Sequence, residues 1–99
     1  MKIDYPHNLT QEESYERINR LLSELQEQHA DKISDPETTW NSGHTRMDYS
    51  MKVMGFNTSG QITLRDGQVS LDGKIPLMAK MFSGKIEEMV RLQLDDLLS

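Results

Sequence analysis

RMDYSMKVMGFNTSGQITLRDGQVSLDGKI, residues 46–75, is the stretch whose reading decides the fold. Its odd positions Met47, Tyr49, Met51 and Val53 are apolar, while Arg46, Asp48, Ser50 and Lys52 between them are polar. A period of two marks a strand with one wet face. After Gly55-Phe56 the inward phase moves to Thr58, Gly60, Ile62 and Leu64, and after Asp66-Gly67 it returns to Val69, Leu71, Gly73 and Ile75. The stretch therefore reads as three strands joined by two tight turns.

Asp-Gly is the favoured dipeptide of a type I′ hairpin turn, and Gly-Phe suits type II′ with glycine first. A two-residue loop at Asp66-Gly67 sets Leu64 opposite Val69, Ile62 opposite Leu71 and Gly60 opposite Gly73. A similar loop at Gly55-Phe56 sets Val53 opposite Thr58, Met51 opposite Gly60, Tyr49 opposite Ile62 and Met47 opposite Leu64. Turn chemistry and apolar phase are independent signals, and a one-residue slip would turn a strand inside out, so their agreement fixes which face is buried.

Working outward, Lys2–Tyr5 alternates, with Ile3 and Tyr5 on one side, and Pro6 suits the end of an edge strand. Thr10 and Glu13 have the spacing of a capping box that opens a helix, whose stripe is Tyr15, Ile18, Leu22, Leu25 and His29, widened by Leu21. Residues 30–37 read as a polar linker ending in Asp35-Pro36. Thr38 and Trp40 then form a strand that turns at Ser42-Gly43 or Gly43-His44; either loop keeps Trp40 on the buried face. Pro76 ends the last strand and can open a helix. In that helix Ile86, Met89, Val90, Leu94 and Leu97 form a clean stripe, whereas Leu77–Phe82 is apolar on more than one side. Gly84 marks either a bend or a fresh start with Ser83 as N-cap. The expected fold is α+β, in the order β-α-β-β-β-β-α, with an antiparallel sheet and both helices packed on its one apolar face.

The chain has 99 residues, the size of one domain with one core, and a net charge of −5 without a basic block. Nucleic acid is an unsuitable partner, because phosphate binding relies on clustered cations. There is no cysteine, and hence neither disulfide nor thiolate chemistry. No apolar run of spanning length and no leader pattern is visible, so a cytoplasmic location is expected. His7, His29 and His44 are isolated from one another, and neither a nucleophile elbow nor a phosphate loop occurs. Catalysis, a metal and a cofactor are therefore not expected.

Seven methionines are present, and their first use in a core is to fill irregular gaps. Their second is an adaptable apolar contact surface. Gly60 and Gly73, expected as neighbours opposite Met51, leave a shallow place that a helix or a ligand could approach.

The string Gly73-Lys74-Ile75-Pro76-Leu77-Met78-Ala79-Lys80-Met81-Phe82-Ser83-Gly84-Lys85-Ile86-Glu87-Glu88 resembles the end of the polyhydroxyalkanoic acid system family. Ile3–Leu9, the Asp35–Trp40 approach and Met54-Gly55-Phe56 with Ser59-Gly60 resemble it in the same order, over nearly the whole chain. The family is small and bacterial, with genes lying among those for polyhydroxyalkanoate storage polyester. The resemblance implies a cytoplasmic accessory protein, without catalytic residues, that meets a polyester granule or a granule-associated protein; the domain itself is expected to be monomeric or weakly dimeric. The candidate residues for an apolar contact or ligand surface are Leu77, Met78, Met81, Phe82, Trp40 and Met51, and the first four could equally pack under the sheet. The alternative, by analogy of fold, is a shortened START-like helix-grip domain holding an apolar ligand between sheet and C-terminal helix. A large internal cavity is the feature that separates the two readings.

Overall fold

A computed structural model describes residues 1–75 and 77–98, without the side chains of residues 77–79. In chain order the elements are β1 (Lys2–Pro6), α1 (Gln11–Ile18), α2 (Leu21–Gln28), β2 (Ile33–Trp40), β3 (Arg46–Val53), β4 (Phe56–Arg65) and β5 (Gln68–Lys74), followed by a 3-10 helix (Leu77–Phe82) and α3 (Ser83–Leu98). The strands form one antiparallel sheet in the order β1-β5-β4-β3-β2. The first strand thus joins the edge of β5, with Ile3 opposite Leu71 and Tyr5 opposite Val69. The role of Pro76 as strand stop and helix opener lies outside the described residues.

The Asp66-Gly67 turn holds the expected register, with Leu64 opposite Val69, Ile62 opposite Leu71 and Gly60 opposite Gly73. The β3–β4 register differs by two residues. Val53 faces Phe56, Met51 faces Thr58, Tyr49 faces Gly60 and Met47 faces Ile62. The turn is Met54-Gly55, with φ of 53° and 83°, so both central residues take the left-handed conformation that a type I′ turn requires. A shift of two leaves every side chain on its expected face.

Two further boundaries depart from expectation. Residues 33–37 belong to β2, in which Ile33 pairs with Val53 and a bulge between Ser34 and Glu37 absorbs Asp35-Pro36. Asp35 has φ 52° there, and a bulge on an edge strand is where a proline costs no ladder bond. The N-terminal helix is broken at Asn19-Arg20 rather than continuous. Asn19 is a weak helix former and its side chain is engaged elsewhere, yet the apolar stripe survives the break: Ile18, Leu21, Leu22 and Leu25 are all buried. The Thr10–Glu13 capping box is present in full, and the Thr10 bonds hold the Glu13 carboxyl below its usual range.

All three α-helices cover the same sheet face. Met47, Tyr49, Met51, Val53, Ile62, Leu64, Val69 and Leu71 meet Ile18, Leu21, Leu22, Leu25, Ile86, Val90, Leu94, Leu97 and Leu98 in one core. Two polar bonds tie the helices together: Arg17 donates to the Leu97 carbonyl at 3.0 Å, and Gln93 donates to Glu24 at 2.9 Å. Tyr5 on β1 donates to Asp95 on α3, and this bond, followed by burial and the carboxylate charge, raises the phenol pKa.

Candidate functional site

The C-terminal segment is continuous, with the 3-10 helix leading directly into α3. The α-helix begins at Ser83, as the second of the two sequence readings has it, but with Ser83 as its first helical residue and not as its N-cap. Met81 stands 81% exposed, while Phe82 is half-buried against the core. The side chains of Leu77 and Met78 lie outside the described residues. One further apolar group is exposed on the same segment: Leu92, at 62%. The sequence reading missed it, although a signal existed. Leu92 falls out of phase with the buried stripe Ile86, Val90, Leu94 and Leu97, so an α-helix must turn it outward. Lys85 and Glu88, also exposed, precede it at spacings that place all three along one side of α3.

Trp40 and Met51 are elsewhere. Met51 is a core residue with 7% exposure. Half-buried Trp40 meets Tyr15 edge-on at 4.7 Å, and its Nε1–H donates to Asn19 Oδ1 at 2.9 Å. His44 stacks on the same Tyr15 at 4.1 Å between ring centroids. These rings lock the β2–β3 loop to α1, where Gln11 donates to the His44 carbonyl at 2.7 Å. The six sequence candidates thus do not form one surface; among those whose side chains are described, Met81 alone is presented freely to solvent.

The expected ligand cavity between the sheet and the Leu77–Phe82 segment falls partly on side chains outside the described residues. The space between sheet and helices, lined by Met1, Leu21, Leu25, Tyr49, Ile62 and Val90 among others, measures about 10 Å³. Ligand pockets commonly occupy ~300–1,000 Å³. The place expected beside Gly60 and Gly73 exists, but Tyr49 rather than Met51 stands opposite Gly60, and its phenol fills the space. A Cβ on Gly73 would come within 2.6 Å of the Tyr49 hydroxyl, and one on Gly60 within 2.7 Å.

Burial, followed by the charge of Asp72, pushes the Tyr49 phenol up to about 12. A phenol that ionises less readily when folded favours the folded state fully below its unfolded pKa of ~10 and loses that contribution as the pH rises towards the folded value. Tyr49→Phe should therefore flatten the fall in stability between about pH 10 and 12. Urea unfolding midpoints of the two proteins across that range test this; parallel curves would refute it.

A broad open cleft of about 400 Å³ on the sheet is lined by Asp48, Tyr49, Ser59, Gly60, Gln61, Asp72 and Lys74. Among the described residues no group of three or more His, Asp or Glu side chains is placed to hold a metal ion. The histidines sit apart: His29 caps α2, His44 stacks in the β2–β3 loop, and His7 follows β1. His7 Nδ1 accepts from the Leu9 amide at 3.0 Å, Nε2 is buried without a partner, and burial lowers the imidazole pKa. No helix among the described residues is long and apolar enough to cross a membrane.

A family model described as "Putative polyhydroxyalkanoic acid system protein" matches residues 1–98. No curated protein and no solved structure matches the chain.

Proposed function

Because the chain belongs to the polyhydroxyalkanoic acid system family, whose model spans residues 1–98, we propose that it is a non-catalytic accessory protein of storage-polyester metabolism. It acts in the cytoplasm, at or near the granule surface. The observation that supports this reading is the exposure of Met81 and Leu92 on one continuous C-terminal segment. A polyester surface presents ester and alkyl groups with no charge and no hydrogen-bond donor. Apolar side chains that the core does not need are the groups suited to it. The small volume of the space between the sheet and α2 and α3 supports surface contact over a ligand held there.

The contact is tested with purified protein and polyhydroxyalkanoate particles in a sedimentation assay. Covering a large apolar side chain is worth enough that its replacement by a charge should weaken binding about tenfold or more. Met81→Glu and Leu92→Lys should each show that loss. Their unfolding transitions should stay close to that of the parent, since exposed positions away from special features shift stability little. Unaltered sedimentation of both variants would refute the assignment of this surface.

A further inference from the structure

We infer that Met81 is a site of reversible oxidation by peroxide, and that its oxidation weakens the polyester contact; the second half rests on the function proposed above. The chain has seven methionines and no cysteine. With no thiolate to compete, the thioethers are the most readily oxidised sulfur groups it carries. The fold then separates them by access. Met47 and Met51 are sealed in the core at 0% and 7% exposure, and Met1, Met54 and Met89 are half-buried against it. The side chain of Met78 lies outside the described residues. Met81, at 81% exposure, offers its sulfur to a peroxide molecule without any opening of the structure.

In the reaction a sulfur lone pair attacks one peroxide oxygen and the O–O bond breaks. The sulfur keeps that oxygen as a sulfoxide and is oxidised by two electrons. Hydrogen peroxide is reduced and leaves as water. The product is polar where the thioether was apolar, so it loses the property that suits this side chain to a polyester surface. Since Met81 lies outside the core, the change falls on the contact and not on the fold. Oxidation at Met47 or Met51 would instead place a polar group among Ile62, Leu71 and their neighbours.

The test treats purified protein with increasing hydrogen peroxide, locates sulfoxides by peptide mass spectrometry, and measures thermal unfolding and sedimentation with polyester particles. The expected result is sulfoxide at Met81 at doses that leave Met47 and Met51 intact. The unfolding transition should not move, and binding should be about tenfold weaker or more, restored by a methionine sulfoxide reductase. Met81→Leu, apolar but not oxidisable, should bind equally before and after peroxide treatment, whatever its own level of binding. Modification of Met47 or Met51 as fast as Met81, full binding by the oxidised protein, or the same peroxide-dependent loss in Met81→Leu as in the parent would each overturn the inference. Failure of the untreated protein to bind would identify the proposed contact itself as wrong, and the regulatory step would fall with it.

Discussion

Leu64→Ala should lower the free energy of unfolding by about 2–5 kcal/mol, the range found when a buried leucine is truncated and its surroundings relax only in part. Leu64 lies on β4 opposite Val69, 4% exposed, where the sheet face meets the helices. Its neighbours are held by ladder bonds on both sides and cannot close the space freely. Arg65, the next residue, is exposed on the opposite face, and Arg65→Ala should change stability by no more than about 0.5 kcal/mol. Since small domains total roughly 5–15 kcal/mol, the first variant loses a large share of its stability and the second almost none. Chemical denaturation of the pair measures the difference, and similar midpoints would mean that the buried face has been misassigned.

Gly60→Ala should be comparably damaging, at about 3 kcal/mol, the upper part of the usual cost of overpacking. A Cβ there would sit 2.2 Å from the Asp72 carbonyl oxygen and 2.7 Å from the Gly73 Cα. Both are backbone atoms of the adjoining strand, so relief requires β4 and β5 to move apart and weakens the ladder between them. The entropic benefit of replacing glycine, ~0.4–1 kcal/mol, is too small to reverse the sign. Gly73 makes a useful contrast, because a Cβ there meets the Tyr49 hydroxyl at 2.6 Å and the Met1 methyl at 3.3 Å, the far ends of side chains. Tyr49→Phe should therefore rescue Gly73→Ala in part and leave Gly60→Ala unrescued. Equal rescue of both in a double-mutant cycle would show that the backbone contact at Gly60 is not what limits it.

How much of this was legible in the chain depended on whether local signals reinforced one another. Asp66-Gly67 gave the register because its loop length and the apolar phase coincide, but not the turn type: Gly67 alone takes positive φ, at 72°, whereas the expected type I′ requires it at Asp66 as well. The β3–β4 turn was read two residues out of register because nothing local marks Met54 as a left-handed residue, while Gly-Phe offered a plausible turn of its own. The facing survived since it depends only on parity. Ile33 was hidden as a strand residue by Asp35-Pro36, which reads as a linker until a bulge is allowed for. The break at Asn19 could not be seen because the buried stripe continues across it. Family resemblance, by contrast, was readable over nearly the whole chain and is borne out by the match over residues 1–98.

The candidate surface was half legible. Leu77, Met78, Met81 and Phe82 could be named only as a set, because Leu77–Phe82 is apolar in more directions than one helix face can bury; which of them is exposed, as Met81 is, depends on tertiary packing. Leu92 was overlooked although its phase against the stripe was sufficient to find it. Met51 was misplaced through the same register error that set it opposite Gly60 in place of Tyr49. The filling of the glycine site by Tyr49 is a tertiary fact, since strand spacing alone says only that room exists beside two glycines.

Fractionation of cells that are accumulating polyhydroxyalkanoate tests the central claim most directly. The protein should sediment with the granules, and the Met81→Glu, Leu92→Lys double variant should move to the soluble fraction while remaining folded. A parent protein confined to the soluble fraction, with granule number and size unchanged by its deletion, would contradict a role at the granule surface.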